Sequence, residues 1–179
     1  MDRLNVGIIG TGWCGGIRAE ASAKNGLVDE LHIAEIREDR LKEVSELTNA
    51  TSATTDYNEL IKNDNIHAIM ISTTPESLHY PMAKEALEAG KHVLLEKPIA
   101  RTLSEADELI KIAANNKVQF TIGYSQRFRS KYAYVREKFQ DGTLGEPVSV
   151  LITRNITTSL SKLDKSMSFT TPIFLPFKD

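Results

Sequence analysis

The run Val6-Gly7-Ile8-Ile9 stops at Gly10-Thr11-Gly12-Trp13-Cys14-Gly15-Gly16, and a helix-spaced stretch follows from about Ile17 to Lys24. Few folds accept a buried strand that turns through glycines directly into a helix. Gly10, Gly12 and Gly15 have the spacing G-x-G-x-x-G in the strand–turn–helix context that makes the spacing meaningful. Gly10 permits a tight turn, Gly12 lets backbone amides approach a pyrophosphate, and Gly15 lets the helix lie close to the sheet. The helix N-terminus then turns its partial positive charge toward the phosphates. Thr11, Trp13 and Cys14 fill out this candidate dinucleotide loop.

The rest of the chain agrees with the loop. Further strands are expected at His32–Ala34, at Asn49–Thr55 (short and weak), at Ile66–Ile71, at Lys91–Leu95 and at Val118–Gly123. Ile66–Ile71 is continuously apolar, as a parallel sheet covered on both faces requires. Helices are expected at Glu38–Leu47, with Leu41, Val44 and Leu47 on one face, and at Asp56–Ile61, capped by Asp56. Two more are expected: one at Pro81–Ala89 with Gly90 beyond its end, and one from a Thr102/Glu105 capping box to about Asn115. Strand alternating with helix reads as a doubly wound parallel α/β sheet. The pattern then changes. Lys131–Gln140 is a charged helix with Tyr134, Val135 and Phe139 as its apolar positions, and Pro147–Thr153 is a strand. A Ser/Thr/Lys-rich stretch from Asn155 to Ser168 has no period, and Thr171–Phe177 is apolar but twice interrupted by proline. Two parts are therefore expected: a nucleotide-binding domain at residues 1–123, and a linker helix, one strand and an atypical tail at 124–179.

Composition narrows the function classes. The net charge of the 179 residues is -2, with no long run of one sign, which argues against nucleic acid and anionic membranes as partners. The apolar runs are strand-sized, and Met1–Asn5 leads straight into a strand rather than reading as a signal peptide. A single cysteine, Cys14, excludes an internal disulfide, fits a reducing cytoplasm and gives no metal site.

Residues with chemistry gather where strands end. Glu35 lies at the end of the second strand, 20 positions beyond Gly15, where a carboxylate accepts adenosine ribose hydroxyls and favours NAD. Arg37 keeps NADP open, because an arginine there pairs with a 2′-phosphate. Ser72-Thr73-Thr74-Pro75 follows the fourth strand, with His79 four residues on. Glu96-Lys97-Pro98 follows the fifth: an acid, a base and a ring-locked residue at the edge where open α/β sheets bind ligands.

These residues carry a family resemblance. Gly10–Gly15, Thr74-Pro75 with His79, Ala89-Gly90-Lys91-His92-Val93 running into Glu96-Lys97-Pro98, Gly123-Tyr124 with Arg127-Phe128, and Leu144-Gly145-Glu146 resemble the Gfo/Idh/MocA oxidoreductases over roughly Leu4 to Arg154. The resemblance implies a Rossmann domain followed by an α/β domain built on a large, mostly antiparallel sheet. It implies hydride transfer between NAD(P) and a hydroxyl carbon of a sugar or cyclitol. Lys97 then takes the proton-transfer role beside the substrate, a role open to a partly desolvated lysine. Glu96 lies against the nicotinamide ribose, and His79 and Arg127 line the cofactor pocket. Pro98 is expected to follow a cis bond that aims Lys97.

One departure bears on function. Members of this family are about twice as long, and their second domain supplies an Asp-x-x-x-His pair, whereas this sequence has no histidine after His92. The expectation is a truncated second domain that lacks most of the sheet through which members associate as homo-oligomers. Two functions stay open: a dehydrogenase of this type, and a non-catalytic nucleotide-binding remnant or cofactor-sensing module.

Overall fold

The computed structural model describes residues 3–146, 148–155 and 168–174. The chain divides into two units, residues 1–124 and 125–179.

The first unit is a six-stranded sheet: β1 (Leu4–Ile9), β2 (Val28–Ala34), β3 (Ser52–Thr54), β4 (Ala68–Ile71), β5 (His92–Leu95) and β6 (Phe120–Ile122). Its strand order is β3-β2-β1-β4-β5-β6 and every pairing is parallel. This is the doubly wound order, whose direction reverses between β1 and β4. Helices α1 (Trp13–Ala23), α2 (Glu38–Thr48), α3 (Tyr57–Lys62), α4 (His79–Glu88) and α5 (Leu103–Asn115) make the crossovers.

Strand alternation sends side chains to two cores. Val6 and Ile8 of β1 join Leu31, Ile33, Ala19 of α1 and Val44 of α2 on one side. Ile9, Ile69, Ile71, Val93 and Leu95 join Ala83 and Leu87 of α4 and Leu109 of α5 on the other. Burial of a large aliphatic side chain contributes about 1.5–3 kcal/mol, so these two layers hold the sheet edge rigid beneath the site.

Helix α1 starts at Trp13, not near Ile17, so Gly15 and Gly16 lie in its first turn. Glycine is a poor helix former, which hides that turn from propensity. Side-chain-free contact with the sheet is the compensating gain: a Cβ on Gly15 would overlap the Gly10 carbonyl oxygen. The caps form as their residues dictate. Asp56 accepts from the Asn58 amide, and Thr102 and Glu105 exchange hydrogen bonds in a full capping box. Helix α4 begins two residues before Pro81 and closes ahead of Gly90, whose φ is +73°.

The second unit contains a short 3₁₀ turn (Ser125–Phe128), helix α6 (Ser130–Gln140), and strands β7 (Ser149–Asn155) and β8 (Ser168–Phe174). Tyr134 and Val135 of α6 are exposed. Here the expectation of a single strand needs correcting: β8 pairs antiparallel with β7, Pro172 opposite Leu151. A proline brings no ladder donor, which makes such a run read poorly as a strand. The aperiodic stretch expected at 155–168 lies outside the described residues over 156–167, as does 175–177 of the proline-interrupted run.

Candidate functional site

Parallel register brings the residues after the strands into one row. The Gly10 amide donates to Ala34 O, Ser72 to Ile9 O, Glu96 to Ile71 O, Gly123 to Leu95 O and Glu35 to Thr54 O, all at 2.7–3.1 Å. Glu35, Gly10, Ser72, Glu96 and Gly123 therefore stand side by side along the carboxyl edge, although they come from five separate parts of the sequence.

On the β1–β2 side, Gly10 has φ +82°, and a Cβ there would come within 2.9 Å of the Ser72 carbonyl oxygen. Only glycine takes that turn without strain. Around Gly12 an added Cβ would meet nothing within 4 Å. The N-terminus of α1 has no side-chain cap and no acid in its first turn, so no side chain of its own satisfies its first amides. Thr11 is fully buried beneath the loop: Glu35 Oε2 accepts from its amide at 2.7 Å and its hydroxyl at 3.0 Å. Glu35 Oε1 accepts from the Arg37 amide at 3.2 Å, with Arg37 Nε 3.8 Å away. Arg40 of α2 donates through Nε to Thr11 O at 2.8 Å. Trp13 is 76% exposed and Cys14 is half-buried. A cleft of about 330 Å³ opens here, lined by Gly10, Gly12, Glu35, Arg37, Thr73 and Thr74 among others. The Thr73 Oγ1 in its wall is buried with no hydrogen-bond partner, the state of a hydroxyl that a ligand would satisfy.

On the β4–β6 side, two loops follow β4 and β5. Thr74-Pro75 and Lys97-Pro98 are both cis. His79 does not stand in the wall of the 330 Å³ cleft; it is 1% exposed. Its Nδ1 lies 2.8 Å from Pro98 O and its Nε2 3.1 Å from Thr73 O. The ring thus packs between the two cis-proline loops, and as a neutral imidazole it donates to one of these carbonyls. Arg18 of α1 reaches Ser72 Oγ at 2.6 Å and Glu96 Oε2 at 2.5 Å. Lys97 and Pro98 are exposed. Among the described residues of this unit, the Lys97 ammonium has no hydrogen-bond partner or ion pair. Arg127 is exposed in the 3₁₀ turn of the second unit.

Sequence reasoning missed Arg18 and Arg40. Each is an ordinary charged position on an amphipathic helix, and only the helix-to-sheet docking gives it a partner 78 or 29 residues away. The contacts of the His79 ring with Pro98 and Thr73 are likewise invisible in the primary structure.

A family model described as an oxidoreductase family with an NAD-binding Rossmann fold matches residues 4–124. The chain belongs to the Gfo/Idh/MocA family. Among curated relatives, myo-inositol 2-dehydrogenase of Thermotoga maritima is 30% identical over 153 residues, covering 84% of this chain and 45% of that protein. Levoglucosan dehydrogenase of Pseudarthrobacter phenanthrenivorans is 29% identical over 157 residues, 83% of this chain and 40% of the relative. The structure of scyllo-inositol dehydrogenase from Lactobacillus casei, solved with NAD(H) and scyllo-inositol, superposes with a TM-score of 0.77 at 24% identity. That match covers 84% of this chain and 46% of the other, and it establishes the shared fold. This Gfo/Idh/MocA chain thus spans somewhat under half the length of the relatives it matches. Its residues fit a nicotinamide dinucleotide: the open space at Gly12, the uncapped α1 amides and the orphaned Thr73 hydroxyl are what such a ligand would fill. Among the described residues no cluster of His, Cys, Asp and Glu suits a metal ion, and no helix is long and apolar enough to cross a membrane.

Proposed function

We propose that this chain is the cofactor-binding part of an NAD-dependent dehydrogenase acting on a hydroxyl carbon of a sugar or cyclitol in the cytoplasm. The observation that carries the reading is the row at the carboxyl edge of the sheet. It sets an uncapped helix N-terminus and an open glycine turn on one side, and an exposed lysine beside a part-buried acid on the other. The nicotinamide, when bound, accepts or returns the hydride. The chain's own residues do the rest. The α1 amides and the Gly10–Gly15 loop, with Thr11, Trp13 and Cys14, hold the pyrophosphate. Glu35 takes the adenosine ribose hydroxyls, and its negative charge disfavours a 2′-phosphate despite the neighbouring Arg37. Thr73, Thr74 and Pro75 border the middle of the cofactor, and Glu96 accepts a hydroxyl of the nicotinamide ribose. Lys97 carries the proton to and from the reacting hydroxyl. His79 supports both loops from beneath. Residues 125–179 are then the start of a substrate domain.

Because Trp13 is exposed within the loop, its fluorescence reports the cofactor directly. Titration with NADH should give saturable quenching that Gly15→Val abolishes; no change at millimolar NADH would sink the proposal. Inositols, glucose and other polyols are the substrates to screen. Turnover lost in Lys97→Ala supports catalysis by this chain. Binding without turnover favours the second reading, a cofactor-binding module.

A further inference from the structure

Arg18 belongs to α1, the helix whose N-terminus faces the cradle, yet its guanidinium extends to the far half of the sheet edge. Nη1 donates to Ser72 Oγ and Nη2 to Glu96 Oε2. The two charged side chains are 17% and 13% exposed. The backbone leaves room for the pair: a Cβ on Gly123 would overlap Arg18 Nη2 and lie 3.1 Å from Glu96 Oε2. Replacing a buried ion pair by apolar residues is often neutral or stabilising, so stability alone is a weak reason for keeping this one.

Its position supplies a reason. A doubly wound sheet binds a dinucleotide as two mononucleotide halves. Strands β1–β3 carry the glycine loop and Glu35, so the nicotinamide half falls to β4–β6, where Glu96 ends β5. The oxidised nicotinamide ring is a cation and the reduced ring is neutral. A lone carboxylate there would hold the oxidised form more tightly, and a lone guanidinium the reduced form. Either bias would make the site release one redox state poorly.

We propose that Arg18 is a positioning residue that neutralises Glu96, so that one site binds oxidised and reduced cofactor with comparable affinity. Among the described residues Glu96 Oε1 has no hydrogen-bond partner, which leaves it to accept a ribose hydroxyl. The inference rests on the proposed nicotinamide reading.

The test measures dissociation constants of the full chain for NAD⁺ and NADH at pH 8, with folding checked by circular dichroism. Arg18→Met should shift the affinity ratio toward NAD⁺ by about fivefold or more, and Glu96→Gln should shift it toward NADH by a similar factor. The double variant should return close to the wild-type ratio. Arg18→Lys, which keeps the charge, should hold that ratio and separates loss of charge from loss of fold. Shifts of the same sign in both single variants, or equal weakening of both cofactor forms, would overturn the proposal and leave the cofactor reading intact. Wild-type protein that binds neither form overturns both.

Discussion

Glu35 and Glu96 occupy matching places in the two halves of the sheet, each the first residue after a parallel strand, yet they are held in different ways. Glu35 accepts from a backbone amide and a hydroxyl of its own neighbourhood, the Thr11 loop. Glu96 is paired with a full positive charge brought from α1. The β1–β2 side is therefore built mainly from hydrogen bonds to one carboxylate, with Arg37 Nε 3.8 Å away, while the β4–β5 side is built on an ion pair. On the proposed cofactor reading, the ion pair faces the ring whose charge differs between the oxidised and reduced forms.

The contrast is breakable at the imidazole first. His79→Ala deletes the ring that packs between Pro98 O and Thr73 O and leaves a void under both loops. One lost hydrogen bond and lost packing should together cost about 3 kcal/mol in urea unfolding. A loss below about 1 kcal/mol would mean that the two loops hold themselves and the ring is a passenger. On the β1–β2 side, Thr11→Val keeps the shape and the backbone hydrogen bond while removing the hydroxyl from Glu35. The expected cost is about 1 kcal/mol, with weaker NADH binding in the Trp13 titration. If Thr11→Val destabilises as much as His79→Ala, the two halves are equally dependent on side-chain ties.

The smallest effect is expected outside the edge, where α4 and α5 meet. The Lys84 ammonium and then the Tyr80 hydroxyl hold the Glu108 carboxyl below the usual glutamate range. A depressed carboxyl adds stability above its unfolded value and loses it as the pH falls through the folded value. Glu108→Gln should therefore lower the melting temperature slightly near neutrality, with the difference from wild type vanishing in acid. High salt should shrink the difference too, because the clasp is exposed. A pH-independent difference would point to packing instead.

Much of the first unit was legible because its signals are local. An apolar run before glycines, a carboxylate at a strand end, Asp56 as a cap and Thr102 with Glu105 each act within a few residues. The start of α1 was not legible, because glycines that weaken a helix in isolation are the ones that dock it. The β8 strand was hidden by Pro172, whose cost depends on which side of the ribbon it faces.

By itself the sequence determined the alternation that makes a parallel sheet, the glycine turn, and which acids, lysine and prolines stand after which strands, since period, breakers and caps act over short range. Only the tertiary structure decided that Arg18 neutralises Glu96, that Arg40 fastens Thr11 and that His79 spans two cis-proline loops. Those pairings depend on sheet register and helix docking, which bring residues tens of positions apart to within hydrogen-bond distance and leave no mark on the residues nearby in the chain.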